Sequence, residues 1–315
     1  MHQSSHFFDK FSKADVSDWV KIAEKELNGK TLESLNYHYN SEIIMPPVVI
    51  PDKEVKKMEP IVWRKNKLCQ RGISFCNTET LKEENIRFFI SIGINNFKLN
   101  ITKESKIQAD ELKKLFPTCH WLDIYQEERD PSDFFVSDKT FIKSLEEDPI
   151  QQILENFQHA IRLIQRLEIG ERLINEFLGS IYFSREINAN YLYEISLGRA
   201  QRIAWRNILQ AFGIENPAPP TFISTLPVLK NGLHDHFLVE ATAKTLSAVI
   251  GGADLIYLEF DEITETMRTE NLAHIYHILT LESGIGEVID PVAGSFYVDE
   301  LTTKLAQHIW SKLKS

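Results

Sequence analysis

Short hydrophobic runs alternate with longer segments of helical spacing along the chain from about residue 60 onward. β-Branched and aromatic residues mark strands at Asn96–Ile101 and 120–125, and a helical pattern covers 108–116 between them. Alternation of this kind predicts parallel strands joined by crossover helices. Further strands are predicted at 221–226 and 253–260, and further helices at 148–170, 190–212, 238–250, 270–282 and 301–314.

Residues 1–55 form a separate N-terminal arm in this pattern. An amphipathic helix is predicted at 15–29, where apolar residues recur every three or four positions and Gly29 follows as a stop signal. Its apolar stripe either covers the arm's own core or packs on a partner chain, and the sequence leaves both interpretations open. The segment 45–51 contains three prolines and separates the arm from the main body, residues 56–315.

Two architectures produce the alternation of the main body, an α/β barrel and an open doubly wound sheet. Gly251 and Gly252 precede a predicted strand instead of joining a strand to a helix. The chain also contains neither a GxGxxG turn nor a GxxxxGK[ST] loop, the glycine-rich turns that hold phosphates. The nucleotide-binding open sheets therefore lose support.

The composition, 43% hydrophobic and 25% charged in 315 residues, is that of a soluble globular protein. No apolar run approaches the roughly eighteen residues that a membrane-spanning helix needs. The net charge of -10 opposes binding to nucleic acid or to an anionic membrane. Cys69, Cys76 and Cys119 lack CxxC spacing, so we expect neither a disulfide framework nor a zinc site, and a reducing cytoplasm fits best.

Acidic residues follow one another at the end of a predicted strand, at Glu259, Asp261 and Glu262. The carboxyl ends of barrel strands form the active-site face, which makes these residues candidates for substrate binding. The alternative is that they cap the next helix and orient its loop. Ser295 is a further candidate because it lies in a turn that suits a ligand loop, and its alternative role is to begin a helix.

Basic residues supply a second set of candidates. Arg199 and Arg202 share one predicted helix and Lys244 lies on another, and a guanidinium matches the geometry of a phosphate such as that of coenzyme A. Ordinary solvated helix charges are the alternative. The segment 234–236 (HDH) brings two imidazoles close in sequence, but no third ligand at metal spacing accompanies them, so no metal site is assigned.

Three stretches in the C-terminal third resemble the methylmalonyl-CoA mutase family in order and spacing. They read GRAQRIAWRNILQAFG at 198–213, TLSAVIGGADLIYLEFDE at 245–262 and LESGIGEVIDPVAGSFYVDELT at 281–302. The family has a helix with an RAxR-like core, a helix followed by GG and a strand ending in FDE, and a turn leading into DPxGGSYxxE. The arm segment KELNGKTLESL at 25–35 resembles the opening of the family's small subunits. Between 65 and 180 only scattered apolar positions align, which suggests missing or remodelled strands.

This resemblance implies a TIM-type (β/α)8 barrel, or an incomplete barrel, carrying the N-terminal helical arm. It also implies an acyl-CoA ester along the barrel axis and adenosylcobalamin on a separate flavodoxin-like domain. The family's cobalamin domain carries a DxHxxG motif, and no aspartate here has histidine two positions later. No cobalamin-binding domain is therefore expected in this sequence, and the cofactor is not expected to bind this chain alone.

Residues that carry the family's chemistry are replaced. The strand that carries HxQTSG in the family reads TFISTLP at 221–227, without the histidine. The family's NNxxRT motif aligns with the segment 236–241, where Glu240 takes the place of the arginine. The family's ARNTQ motif aligns with 272–276. No catalytic residue is therefore assigned. The resemblance implies a non-catalytic small subunit that supports a cobalamin-bearing large subunit in interconverting methylmalonyl-CoA and succinyl-CoA.

Two alternatives stay open from the same resemblance. One is the acyl-CoA-binding half of a split mutase with cobalamin supplied by another chain, and the other is an independent CoA-ester-binding barrel. The expected partner is a large mutase subunit or a second copy of this chain, because missing strands would leave sheet edges that need cover.

Overall fold

The structure, a computed structural model, describes residues 15–50, 69–75, 83–94, 96–101, 121–126, 140–144, 146–166, 171–214, 217–227, 237–260, 274–285, 288 and 290–314. Contacts divide the chain into two compact units, Met1–Val55 and Lys56–Ser315, and each is described by itself. Within the described ranges, no helix is long and apolar enough to cross a membrane.

The N-terminal unit contains the predicted amphipathic helix, α1, at Val16–Glu26. A 3-10 turn at Leu32–Leu35 and a small antiparallel pair, β1 at Tyr37–His38 with β2 at Ile44–Met45, follow it. The helix ends three residues before Gly29, which adopts a positive φ of 80° as the predicted stop signal requires. No residue of α1 is buried, so its apolar stripe covers no core among the described residues.

The main unit is built on a seven-stranded sheet whose paired strands all run parallel, which confirms the predicted α/β class with parallel strands. The order across the sheet is β5-β4-β3-β9-β8-β7-β6. The strands are β3 (Gln70–Phe75), β4 (Asn96–Ile101), β5 (Trp121–Gln126), β6 (Thr140–Lys143), β7 (Ile181–Glu186), β8 (Thr221–Pro227) and β9 (Leu255–Phe260).

The order of the strands in space follows their order in the chain around the whole sheet. The first strand of this unit, β3, pairs with the last, β9, and the two ends of the sheet are the consecutive strands β5 and β6. A doubly wound open sheet would instead reverse its winding at a switch point and keep its last strand at an edge. Among the described residues the circuit is interrupted between β5 and β6, so a complete barrel stays a prediction.

Six α-helices of the main unit have defined bounds, and residues 274–277, within the helix predicted at 270–282, are helical as well, whereas 270–273 lie outside the described residues. The predicted helices at 148–170, 190–212 and 238–250 are confirmed within a few residues, and the predicted helix 108–116 lies outside the described residues. The strand predicted at 120–125 is shifted by one residue. The helices are α2 (Glu83–Ser91), α3 (Pro149–Arg166), α4 (Glu171–Ser180), α5 (Tyr191–Ala211), α6 (Phe237–Ile250) and α7 (Phe296–Lys314), with a π-helical turn at Ile278–Glu282.

One face of the sheet is covered by helices through an aromatic cluster. The ring of Phe183 on β7 lies 5.2 Å from Phe157 of α3 and 4.8 Å from Trp205 of α5, and 5.5 Å from Phe222 of the neighbouring strand. Edge-to-face rings of this kind add stability beyond the apolar area that they bury. The Phe183 face is therefore the outer, helix-facing side of the sheet.

The opposite, inner face is buried as well. Tyr182, Ile223, Leu255 and Tyr257 form one cluster there, and each is at most 4% exposed. Gly72 on β3 makes room for the phenol ring, since a Cβ at that position would lie 2.4 Å from Cε1 of Tyr257. Burial of both faces is expected of a sheet that curls over itself, as in a barrel.

Candidate functional site

The carboxyl end of the inner face carries polar side chains from four strands. Lys143 pairs in register with Ser184, and Thr225 pairs with Tyr257, two residues before Glu259. Because residues paired in register, and residues two apart on one strand, share a face, all of these side chains lie on the inner face. The site predicted at the strand ends thus contains Lys143, Ser184, Thr225 and Glu259.

An ion pair crosses this edge. The ammonium of Lys143 on β6 lies 3.6 Å from a carboxylate oxygen of Glu259 on β9, although β7 and β8 stand between these strands. In a flat sheet the two strands would be about 14 Å apart, with their side chains pointing the same way instead of toward each other. The contact therefore requires a strongly curled sheet at the carboxyl edge.

Two hydroxyl groups lie on the strands that this ion pair spans. Ser184 Oγ is 3.3 Å from Thr225 Oγ1, and both side chains are buried. The amide of Asn156 on α3 donates to the carbonyl of Ser184 from the outer side, 3.0 Å away, which fixes the end of β7. Among the described residues, the carboxyl end of the inner face therefore presents two hydroxyls and one ion pair.

A cavity of about 710 Å³ opens beside Lys143, between the end of β6 and the start of α3. Ser144 Oγ donates to Glu155 at 2.6 Å, and Asp148 caps α3 by accepting from the amides of Ile150 and Gln151, both at 2.9 Å. Four carboxylates against one ammonium make the lining unfavourable for an anionic ligand. The lining residues are Lys143, Ser144, Glu146, Glu147, Asp148 and Glu155.

Arg199, predicted as a phosphate ligand, lies within an internal ion-pair cluster. Its guanidinium donates to Asp290 and, at 2.9 Å, to Asp299, which ties α5 to α7 and to the turn before α7. The side chains of Arg199 and Asp290 are each 3% exposed. Burial raises the pKa of Asp299, Arg199 opposes this, and Asp290 adds to it.

Arg202 is engaged in a similar way one helical turn further on. Its guanidinium donates to the carbonyl of Gly252 and, at 2.8 Å, to Asp254, and it lies 4.6 Å from the ring centre of Phe222. The same carboxylate oxygen of Asp254 accepts from the amide of Phe222 at 2.9 Å. Both predicted arginines are therefore buried on the helix side of the sheet, and their contact with a CoA phosphate stays a prediction.

The other predicted residues fall in different places. Glu259 is at the carboxyl edge, whereas Asp261, Glu262 and the segment 234–236 lie outside the described residues. Ser295 directly precedes α7, and its carbonyl accepts from the amide of Asp299 at 2.9 Å, the geometry of a helix start.

Lys244 forms an i,i+4 pair with Glu240 at 2.6 Å on α6. Cys69 is buried, and Cys76 and Cys119 lie outside the described ranges. The residues that the structure describes contain no cluster of histidine, cysteine and carboxylate groups that would hold a metal ion.

Sequence reasoning missed a third buried ion pair, Arg185 with Glu194. The guanidinium of Arg185 on β7 contacts both carboxylate oxygens of Glu194 on α5, one at 2.8 Å, and donates to Gln201 at 3.3 Å. Glu194 also accepts from the amide of Asn188, so the pair fixes the loop between β7 and α5. Burial, followed by the charge of Asp148, raises the pKa of the neighbouring Tyr193 well above its ordinary value. The signal was available, since Glu194 and Gln201 share the α5 face that carries apolar residues.

Comparisons with known proteins show which family this chain is similar to. A family model described as methylmalonyl-CoA mutase matches residues 149–315. Methylmalonyl-CoA mutase of Rhizobium meliloti (strain 1021) is 28% identical over 149 residues, which are 45% of this chain and 21% of that protein. The small subunit of methylmalonyl-CoA mutase from Porphyromonas gingivalis is 29% identical over 43% of this chain and 23% of its own length.

A third relative carries a different acyl group in its name. The large subunit of 2-hydroxyisobutanoyl-CoA mutase from Aquincola tertiaricarbonis is 25% identical over 53% of this chain and 31% of its own length. The matched part of the chain thus spans from 21% to 31% of the length of these curated relatives.

Proposed function

Because this chain belongs to the methylmalonyl-CoA mutase family, we propose that it is a barrel chain that assembles with a cobalamin-bearing large subunit and performs no chemistry itself. The activity named for its relatives belongs to proteins of which the chain matches only a part. Its own contribution is therefore inferred from the site and its surroundings.

A TIM-type barrel is supported by the stagger of the strands. Ladder partners place Lys143 level with Ser184, Ile223 and Leu255, whereas the residue that it reaches is Glu259, four positions further along β9. Three steps across the sheet separate β6 from β9. An eight-stranded barrel with a shear of 8 shifts by about one residue per strand, close to this offset.

The engagement of the basic groups near α5 is the observation that carries the non-catalytic proposal. Arg199 is held by Asp290 and Asp299, and Arg202 by Asp254, so both guanidiniums stabilise the framework. At the carboxyl edge Lys143 is paired more loosely, with Glu259 at 3.6 Å. These three basic groups therefore have partners within the chain.

Members of this family generally depend on adenosylcobalamin, and the residues present do not fit that cofactor. None of the described histidines lies on a strand of the seven-stranded sheet, and the sequence has no DxHxxG segment to supply a cobalt ligand. We therefore derive no step through cobalamin for this chain. In the proposed assembly the partner carries it.

Exposed apolar residues of the N-terminal unit support assembly with a partner. On α1, Val16 is 46% exposed, Trp19 42% and Ile22 60%, and Leu35 and Tyr37 continue the exposed apolar surface at about half exposure. Apolar side chains clustered in so short a segment are characteristic of interaction surfaces. Relatives named as large and small subunits indicate that two-subunit mutases occur among the similar proteins.

Light scattering with size-exclusion chromatography tests the proposal on the whole chain, alone and mixed with the large mutase subunit of the same organism. We expect a stable heteromer, weakened by Trp19→Glu and unchanged by Lys25→Glu on the exposed polar side of α1. A chain that stays a separate species in the mixture would refute the proposed function.

Mutase assays supply the second arm of this test. We expect the large subunit to gain stability or activity from this chain, and the chain alone to convert neither succinyl-CoA nor methylmalonyl-CoA. Turnover by this chain with added adenosylcobalamin, in the absence of the partner, would instead support the split-mutase alternative.

A further inference from the structure

The ion pair between Lys143 and Glu259 lies across the carboxyl edge of the inner face. It joins two strands that are three steps apart, so it spans the edge of β7 and β8 from one side to the other. The side chains retain only 26% and 19% exposure, respectively. They are therefore accessible from outside and yet cover what is below them.

The space beneath the pair is filled by the chain itself. The Ser184–Thr225 hydroxyl contact comes first, and the rings of Tyr182 and Tyr257 follow one layer deeper, at 4% and 1% exposure. Gly72 lets the Tyr257 ring pack directly against β3. A chain of methylene groups could enter only after these side chains moved.

We propose that the Lys143–Glu259 ion pair is an autoinhibitory contact that closes the carboxyl mouth of the inner face and keeps acyl-CoA esters out. This proposal rests on the barrel architecture of the proposed function. A closed carboxyl mouth would explain how a mutase-like barrel supports assembly without binding substrate. A separation of 3.6 Å and partial exposure make the pair weak enough to open.

Thiol labelling at the floor of the mouth measures this closure directly. Ser184→Cys places a thiol beneath the pair, and its reaction rate with Ellman's reagent follows the population of the open mouth. The native cysteines are corrected for with the chain that keeps Ser184. The test variant combines Ser184→Cys with Lys143→Ala and Glu259→Ala. The control variant combines Ser184→Cys with Glu300→Gln, which removes the surface ion pair Glu300–Lys304 on α7, also 3.6 Å long.

We expect labelling of the introduced thiol to rise roughly fivefold when the Lys143–Glu259 pair is removed, because a partly buried pair contributes about 1 kcal/mol. The Glu300→Gln control should leave the rate unchanged. Added salt should speed labelling only in the chain that retains the pair, because screening weakens exposed charges. Equal labelling rates with and without the pair would overturn the proposal. As a control, the rates are measured again in a low concentration of denaturant; rates that do not change exclude labelling through global unfolding.

Calorimetry with succinyl-CoA supplies the ligand arm. The intact chain should show no binding. The chain with Lys143→Ala and Glu259→Ala should bind the ester, because loss of the pair lets the edge open and the side chains beneath it move aside, and the bound ester should then protect the introduced thiol from labelling. Binding by the intact chain with protection of that thiol, or no binding by either chain, would overturn the closed mouth. These results are separate from assembly, because failure to form the heteromer would refute the proposed function and leave the labelling rates unaffected.

Discussion

Replacing Arg199 by methionine removes the positive member of the buried cluster that joins α5 to α7. Methionine keeps much of the length of the side chain, so the change removes the guanidinium partner of Asp290 and Asp299 without creating a large cavity. Asp290 is as buried as Arg199, and the side chain of Asp299 is 14% exposed. Breaking a buried ion pair from one side costs about 3–5 kcal/mol, and we expect a loss of that size in the free energy of unfolding.

Urea unfolding followed by near-ultraviolet circular dichroism measures this loss. The Glu300→Gln variant, which removes an exposed pair from α7, should change the unfolding free energy by less than about 1 kcal/mol. The triple change Arg199→Met, Asp290→Asn and Asp299→Asn should recover part of the loss, because no charge is then left unpaired. A loss below about 1 kcal/mol for Arg199→Met alone would show that the cluster does not hold α7.

The pH dependence of the same loss follows from Asp299. Its pKa is raised by burial, so its contribution to stability is present below the ordinary carboxyl pKa and disappears as the pH rises through the raised value. Without Arg199 the charge that lowers this pKa is gone, and protonation becomes the remaining way to neutralise the site. The destabilisation by Arg199→Met should therefore be largest at neutral pH and shrink toward about pH 4.

Three further substitutions test the packing. Gly72→Ala should lower the melting temperature, with a cost of about 1–3 kcal/mol, because its Cβ would meet the Tyr257 ring at 2.4 Å; Tyr257→Leu in the same chain should relieve it. Gly198→Ala should cost at least as much by urea unfolding, because its Cβ would lie 2.6 Å from the Gly251 carbonyl oxygen, which cannot rotate away. Asp148→Ala should cost about 1 kcal/mol and speed amide exchange in the first turn of α3, which it caps.

Local patterns were sufficient to predict much of the fold, and the exceptions have physical causes. The strand predicted at 253–260 begins two residues later, because Asp254 is used by the backbone of Phe222 and by Arg202 before the ladder starts. The last helix begins at Phe296 and not at 301, since the turn at Ser295 starts it early.

The strands β3, β6 and β7 and the helices α2 and α4 were not among the predicted elements. α4 ends at Ser180 and β7 starts at Ile181, so no turn residue separates the two periodicities. Five consecutive residues of β7 are buried, which removes the alternation that identifies a half-exposed strand.

The sequence predicted where the candidate site lies, at the carboxyl ends of the strands, but not which side chains form it. Glu259 was chosen because it ends a strand, and that location holds. Its partner Lys143 is 116 residues earlier in a strand of only four residues, and only the curl of the sheet brings the two together. Long-range closure of this kind leaves no periodic signal in either segment, so sequence reasoning had no means of pairing them.

The arginines of β7 and α5 explain why a helix with three buried charged positions can occupy the centre of the unit. Glu194, Arg199 and Arg202 are each at most 4% exposed, which an unpaired charge would not tolerate. Each finds its partner on a different neighbour: β7, the turn with α7, and the start of β9. Because one ion pair can form only if that neighbour is correctly docked, the three together specify how α5 is seated. The buried charges of α5 are thus determinants of how this helix docks on its neighbours.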